Sequence, residues 1–349
     1  MTTVTLLSKS RRRWLRRLSL MALVISAFSL LAFAPGSAQT SAPKAYVGNF
    51  HDNTISVIDT GTNTVTKTIP VPTGPHGMVI TLDGRWLYVS SDGDTKVSVI
   101  DTASDTVADT IEVGKSPHGL AITPDGSQVL VAVNGADSVA FIDTAQNKVV
   151  AQVPVPMPHN IAISPDGRLA YVAAQKEGET GLVILNLAER TQAGVVPLDH
   201  TPRALNFSPD GKVLYFTLAG VDAVQVLDPA TNTVVHQIAV GASPHHPLFT
   251  PDGEYALVVS QGPGELDILD VANNSVDGTV TVGKAPHWIA VSADGKTAYV
   301  TNEGSNDVSV VDIEKQTVTA TIPVGNGPRK IALQPEMMTS SEATPTAMP

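Results

Sequence analysis

The sequence contains no cysteine. Disulfide bonds, thiolate metal sites, cysteine nucleophiles and covalently attached c-type haem are therefore excluded. The sequence also has no Gly-rich phosphate loop, no nucleophile elbow and no zinc-protease motif. Charged residues are scarce, at 16% against 42% hydrophobic residues. A chain of this composition must be held together by a hydrophobic core and backbone hydrogen bonds, and no short motif assigns it an activity.

What the sequence has in abundance is turn-forming residues. Gly and Pro together account for 52 of its 349 residues, and both types are concentrated in turns. The large hydrophobic fraction argues against intrinsic disorder and favours a packed, β-rich fold. Residues 336–349 are the exception, because they are rich in Ser, Thr, Ala and Pro, and we expect a disordered tail there.

The first 38 residues have the layout of an export signal. Residues 9–17 are basic, residues 18–34 form an apolar run, and small residues precede a cleavage site after Ala38. The arginine cluster at 11–13 resembles a twin-arginine signal, although a general secretory leader or an uncleaved anchor stays open. We therefore expect a periplasmic or secreted protein of bacterial type, with residues 39–43 as a short spacer.

Removal of this leader would make the protein strongly acidic. Residues 1–38 contain six Lys or Arg and no Asp or Glu, which leaves 16 basic against 33 acidic residues and a net charge of −17. Such a surface repels phosphate backbones, so we expect no nucleic-acid partner.

Seven dipeptides of Pro followed by His or Arg divide the sequence into periods. We call the second residue of each dipeptide a landmark. The landmarks are His76, His118, His159, Arg203, His245, His287 and Arg329, spaced by 42, 41, 44, 42, 42 and 42 residues. A repeat of this length is typical of propellers and other repeat architectures.

Each period has the composition of four short antiparallel strands. A landmark opens an apolar strand, an Asp-Gly turn follows, two further strands are β-branched, and a fourth alternates apolar and polar residues. Residues 44–71 lack a first strand, and residues 330–334 can supply it. The sequence therefore predicts an all-β, seven-bladed β-propeller over residues 44–335, whose last blade is closed by both termini. Ring closure leaves no need for a second copy, so we expect a monomer.

Two segments carry a resemblance to a known family. Residues 299–302 read YVTN, and residues 46–49 read YVGN. The chain resembles the YVTN-repeat β-propellers of bacterial exported proteins and archaeal surface-layer proteins. The resemblance implies the fold, but it implies no activity, because propellers host many unrelated functions.

Propeller geometry predicts that the seven landmarks surround one mouth of the central channel. One interpretation is a metal site, because neutral imidazole is a common ligand for copper and zinc. Its candidate ligands are His76, His118, His159, His245, His246 and His287. This ring resembles the copper-holding histidines at the hub of nitrous oxide reductase, another seven-bladed propeller, although two landmarks here are Arg.

Other interpretations stay open. Arg203 and Arg329 could bind a small anion, with Trp288 stacking on it. Alternatively, the histidines are incidental and the protein is an interaction scaffold for an envelope protein. A third alternative is an enzyme, either a cofactor-dependent oxidoreductase or a lactonase-like hydrolase. The sequence identifies no catalytic residue and no cofactor. For Trp288, packing in the core is favoured over stacking on a ligand.

Overall fold

Each period of the repeat folds into four antiparallel strands in a computed structural model, which describes residues 42–335. The strands form seven four-stranded sheets, numbered here β1 to β28 in chain order. The innermost strands of neighbouring sheets contact one another around a closed ring. The predicted all-β, seven-bladed propeller is confirmed. The signal peptide, the start of the spacer and the tail lie outside the described residues.

The strands occupy the same four positions in every blade. The innermost strands are β4 (Pro75–Ile80), β8 (Pro117–Ile122), β12 (Pro158–Ile163), β16 (Pro202–Phe207), β20 (Pro244–Phe249), β24 (Pro286–Val291) and β28 (Pro328–Leu333). The second strands are β1 (Lys44–Asn49), β5 (Trp86–Ser91), β9 (Gln128–Val133), β13 (Leu169–Ala174), β17 (Leu214–Leu218), β21 (Tyr255–Ser260) and β25 (Thr297–Asn302).

The outer half of each blade is equally regular. The third strands are β2 (Thr54–Asp59), β6 (Lys96–Asp101), β10 (Ser138–Asp143), β14 (Gly181–Asn186), β18 (Ala223–Asp228), β22 (Glu265–Asp270) and β26 (Asp307–Asp312). The fourth strands are β3 (Thr64–Pro70), β7 (Thr106–Glu112), β11 (Lys148–Pro154), β15 (Thr191–Pro197), β19 (Thr233–Ala239), β23 (Ser275–Thr281) and β27 (Thr317–Pro323). A 3₁₀ turn spans Asn134–Ala136, and no described helix is long and apolar enough to cross a bilayer.

The ring closes by pairing of the two ends of the described chain. Strand β28 pairs antiparallel with β1, with Val47 opposite Ile331 and Gly48 opposite Lys330. The resulting sheet has the order β28-β1-β2-β3, so its innermost strand comes from the far end of the sequence. The predicted composite blade is confirmed, and it leaves no unpaired strand edge between the first and last periods.

Asp residues recur at the ends of the third strands and in the Asp-Gly turns, where their carboxylates accept backbone hydrogen bonds. Asp101, at the end of a third strand, accepts backbone N–H bonds from Ala103 and Ser104. Asp125 of an Asp-Gly turn accepts from the Ser127 N–H, and Gly126 has a φ of 72°, which a residue with a side chain rarely adopts. These carboxylates are structural.

Apolar side chains fill the space between blades. Seven hydrophobic clusters occur in the described chain, and each combines residues of two neighbouring blades. Phe141 of β10 and Val172 of β13, for example, are fully buried in one cluster. Because β-branched and aromatic side chains alternate across a strand, both faces of the inner strands can pack on neighbours.

A tyrosine of the second strand connects several blades to the next one. Tyr46, Tyr88 and Tyr171 donate hydroxyl hydrogen bonds to Asp105, Asn147 and Asn232, respectively, each in a turn of the following blade. Burial raises the pKa of Tyr88 to about 12. The hydroxyl of Tyr215, at the corresponding position, is buried without a hydrogen-bond partner in the described structure.

This difference gives a matched test of the interblade hydrogen bond. We expect Tyr88→Phe to lower the free energy of unfolding by about 1 kcal/mol, because it leaves the Asn147 side chain without its donor. Tyr215→Phe should be neutral or stabilising, because it removes a buried hydroxyl that has no partner. Urea unfolding of the two variants measures the difference. Equal losses for both variants would contradict the structural role.

Candidate axial binding site

Every landmark is the second residue of an innermost strand. The preceding Pro opens the strand, a position that requires no N–H for the sheet. The bulge that follows the Pro in most of these strands, as between Pro117 and Leu120 in β8, shifts the register there. We call the end of the channel where these strands begin the landmark end, and the opposite end, with the Asp-Gly turns, the turn end.

Five histidines from five blades pack against each other at the landmark end. The ring centroids of His76 and His118 are 3.5 Å apart, and those of His118 and His159 are 4.0 Å apart. His245 and His287 form a second pair at 4.2 Å, and His287 lies 6.0 Å from His76. We call these five residues the axial histidine cluster. The prediction that the histidine landmarks meet at the axis is confirmed.

A neighbouring glycine permits this close approach. Gly119 follows His118 in β8, and a Cβ atom there would lie 2.5 Å from the carbonyl oxygen of His159. A larger residue would push the two blades apart. The glycine after the landmark is therefore a packing requirement of the cluster.

Backbone carbonyls of adjacent blades fix three of the imidazoles. The Nδ1 atoms of His118, His159 and His287 lie 3.2, 2.9 and 3.1 Å from the carbonyl oxygens of the next landmarks, His159, Arg203 and Arg329. A carbonyl can only accept, so Nδ1 of His118 and His287 carries the proton and Nε2 keeps its lone pair in the neutral ring. Nδ1 of His159 also lies 2.8 Å from the amide nitrogen of Asn160. The Nδ1 atoms of His76 and His245 are buried without a partner among the described residues.

Burial keeps the cluster uncharged. It is the main cause that lowers the pKa of His76, His118, His245 and His287 well below 6.5, and it lowers the pKa of His159 to about 4. Nearby cations add to the effect, including Lys330 in all five cases. The five imidazoles are therefore neutral at pH 7.

The two arginine landmarks extend toward surrounding loops and do not pack into the cluster. Arg329 forms a salt bridge with Glu303 at 2.9 Å and stacks on the Phe50 ring at 3.7 Å. Arg203 donates to the Ser243 hydroxyl at 3.1 Å and to Gln261 at 3.4 Å. The seven landmarks thus form an imidazole core with two guanidinium groups beside it.

A second layer lies one residue further along the inner strands. His246 stacks on Trp288 with centroids 3.4 Å apart, and Nζ of Lys330 lies 2.8 Å from the centre of the same indole ring. Trp288 is half-buried and packs against the core, as the alternative interpretation of this residue held. We expected His246 among the candidate ligands at the landmark end, but its ring stacks on Trp288 in this deeper layer.

Sequence reasoning missed Lys330 and Asn160 of this layer. Both are buried, and Nζ of Lys330 lies 3.5 Å from Oδ1 of Asn160. The sequence contains a pattern that could have identified this layer. The residue after the landmark is Gly or Ala in three blades and the larger Asn, His, Trp or Lys in the other four. The remaining histidines, His51, His200 and His236, are exposed.

As the side chains stand in residues 42–335, no group of three or more His, Asp or Glu side chains is arranged to hold a metal ion. The imidazoles pack with ring planes tilted by 35–38° and do not converge on one point. A metal would therefore require rotation of these rings.

Two family models match parts of the sequence. Residues 37–123 match the YNCE-like beta-propeller, and residues 221–323 match the seven-bladed beta-propeller lactonases. The chain is a β-propeller protein. No curated protein matches its sequence.

Several solved structures share the fold. A hydrazine synthase structure from Kuenenia stuttgartiensis is 23% identical, with a TM-score of 0.72, covering 76% of this chain and 91% of that chain. A functionally unknown protein from Desulfotomaculum acetoxidans has a TM-score of 0.75 at 16% identity, covering 85% and 100%. Apo AztD from Citrobacter koseri has a TM-score of 0.64 at 16% identity, covering 84% and 97%. At these identities, the likenesses show the fold of the propeller only.

The neutral histidines predict a specific pH dependence of stability. Histidines of the unfolded chain take up protons near pH 6.5, whereas those of the folded cluster do not. Unfolding therefore binds protons below about pH 6.5, and the free energy of unfolding should fall as the pH is lowered from 7.5 to 5.5, by at most about 1.4 kcal/mol per pH unit for each histidine. Urea unfolding at several pH values measures this slope.

The contribution of the cluster can be separated from that of other histidines. His118→Gln should make the slope shallower, whereas His236→Gln, at an exposed strand position, should leave it unchanged. The carboxylates of the Asp-Gly turns have lowered pKa values and titrate below this range. A slope that both variants leave unchanged would refute the neutral cluster.

Proposed function

We propose that this protein is an exported binding protein that holds a small anion beside the axial histidine cluster, at the landmark end of the channel. The supporting observation is Arg203. Its guanidinium is half-buried and bonded to Ser243 and Gln261, and it forms no salt bridge with a carboxylate in the described residues. A desolvated cation without a counter-ion is a favourable place for an anion.

The surroundings of Arg203 favour the same ligand. Burial lowers the pKa of Arg203, which reflects the unfavourable desolvation of its charge. The carbonyl oxygen of Arg203 accepts a hydrogen bond from the Asn160 amide and lies 2.9 Å from His159 Nδ1, which ties its backbone to the cluster. An anion here would stabilise the charged form of the Arg203 guanidinium, which burial disfavours.

A metal ion is the second candidate. The favouring observation is the carbonyl contact at Nδ1 of His118 and His287, which leaves Nε2 of each neutral ring with its lone pair. Copper and zinc bind such nitrogens. Arg203, Arg329 and Lys330 lie close enough to depress histidine pKa values, and the same positive potential opposes a metal cation. The anion is therefore the better-supported ligand.

The export proposal rests on the sequence of residues 1–38. Its basic, apolar and small-residue segments match a cleavable leader, which supports a periplasmic or secreted location. The acidic net charge of residues 39–349 opposes binding to nucleic acid. The closed ring of blades supports a monomer.

Anion binding is tested with sulfate at constant ionic strength, with chloride as the balancing ion. We expect saturable binding by calorimetry, and we expect Arg203→Gln to weaken it about tenfold or more, because a charged hydrogen bond is lost. The matched control is Arg168→Gln, since Arg168 is exposed at the turn end and paired with Asp166.

Two results would overturn the anion proposal. One is an affinity for sulfate that Arg203→Gln and Arg168→Gln reduce equally. The other is uptake of zinc or copper by the untagged protein, abolished by His118→Asn and His287→Asn and insensitive to sulfate. That second outcome would favour the metal candidate.

Export predicts a defined mature N-terminus. Expression of the full chain in a bacterial host should yield protein that begins at Gln39, because cleavage follows Ala38. Mass spectrometry of the periplasmic fraction measures this. Replacement of Arg11 and Arg12 by Lys should block export through a twin-arginine route and leave a general secretory route intact.

A further inference from the structure

The channel has a separate pocket that opens at the turn end. It has a volume of about 370 Å³ and is lined by the later residues of the inner strands and by turn prolines. None of the seven landmarks lines it. Its position and composition therefore distinguish it from the site of the proposed anion.

The walls of this pocket contain many apolar side chains together with the polar Asn206 and Ser208, and its inner end is polar. The apolar side chains include Leu120, Ile122, Ile161, Ile163, Leu205 and Phe207. Asn160, His246, Trp288 and Lys330, which follow the landmarks in their strands, form its inner end. No acidic residue lines the pocket.

Lys330 is the only cationic side chain among the lining residues. Its side chain is 3% exposed, and it forms no salt bridge in the described part of the chain. Its Nζ lies over the Trp288 ring and 3.5 Å from Oδ1 of Asn160. An ammonium group buried in this way lacks the counter-ion that normally accompanies it.

The groups around Lys330 do not supply that counter-ion. His246 lies on the other face of Trp288, and its Nδ1 is buried without a partner in residues 42–335. The five histidines of the axial cluster are nearby and neutral. Burial lowers the pKa of the Lys330 amine well below its usual range and that of His246 below 6.5.

We infer that this pocket binds a small amphipathic carboxylate, whose apolar body lies against the walls and whose carboxylate pairs with Lys330. The anionic head supplies the missing counter-ion, and the hydrocarbon part replaces water along Leu120, Ile161 and Leu205. Because burial disfavours the charged form of the Lys330 amine, a carboxylate that pairs with it favours protonation of the amine from solution. Binding is then coupled to proton uptake by Lys330.

This site does not depend on the anion site at the landmark end. Arg203→Gln should leave carboxylate binding in the pocket unchanged, and changes to Lys330 should leave sulfate binding at Arg203 detectable. The two proposals can therefore fail separately.

The test uses straight-chain carboxylates from butyrate to octanoate, each compared with the alcohol of equal length. Calorimetry at pH 8 should show affinity increasing about fourfold for each added methylene, which corresponds to the burial of one CH₂ group. The alcohols should bind at least about tenfold more weakly, because they lack the charge. Measurements in buffers of different ionisation enthalpy should reveal net proton uptake, of at most one proton per carboxylate bound.

Substitutions assign the effect to Lys330. Lys330→Met keeps an unbranched side chain at this position but lacks the amine that lies over Trp288, so it should remove both the preference for carboxylates and the proton uptake. Lys148→Met, at an exposed position of β11, is the control and should change neither. Asn160→Asp is isosteric and places a carboxylate beside the amine, so it should weaken carboxylate binding at least about tenfold even if the Met variant does not fold.

Three outcomes would overturn the inference. The first is equal affinity for carboxylates and alcohols, and the second is unchanged carboxylate binding in Lys330→Met. The third is chain-length dependence without any effect of Asn160→Asp, which would indicate an apolar pocket that makes no use of the lysine.

Discussion

The pairing of β28 with β1 is the constraint on which the rest of the structure depends. This pairing joins residues nearly 290 positions apart and places Lys330 opposite Gly48. Only when the ring is closed do the innermost strands of all seven blades face a common axis. The hydrophobic clusters between blades hold each strand in place, but without closure one interblade interface would be missing and the axial residues would not meet.

Closure concentrates polar groups in a region where they are poorly hydrated. Five imidazoles are neutral because burial disfavours their charged form. Three of them contact carbonyl oxygens of the following blade through Nδ1. Arg329 finds Glu303 as a counter-ion, whereas Arg203 and Lys330 do not find a carboxylate among the described residues. This imbalance, in a chain that is acidic overall, is the physical basis of the two proposed anion sites.

The two ends of the channel differ in chemistry because successive residues of an inner strand occupy different depths. Landmarks supply the imidazoles and guanidiniums of one end, and the residues after them supply the indole, amide and amine at the base of the opposite pocket. Small residues in some blades, such as Gly119, allow the close packing of the histidines. Larger ones in other blades, such as Trp288, fill the channel beneath them. A repeat that is nearly uniform in backbone therefore produces an asymmetric axis.

The sequence by itself determined the architecture, because the 42-residue spacing of the landmarks, the Asp-Gly turns and the alternation of β-branched residues are local signals that each blade repeats. It also determined that histidines at equivalent positions, such as His118 and His287, would meet. Only the tertiary structure decided the environment of the axial side chains. It determined the burial that keeps the histidines neutral, the direction of Arg203 toward the surrounding loops, and the position of Lys330 at the inner end of a pocket. Those properties depend on which side chains face each other across a closed ring. Residues that are so distant in sequence form no local pattern from which their contacts could be predicted.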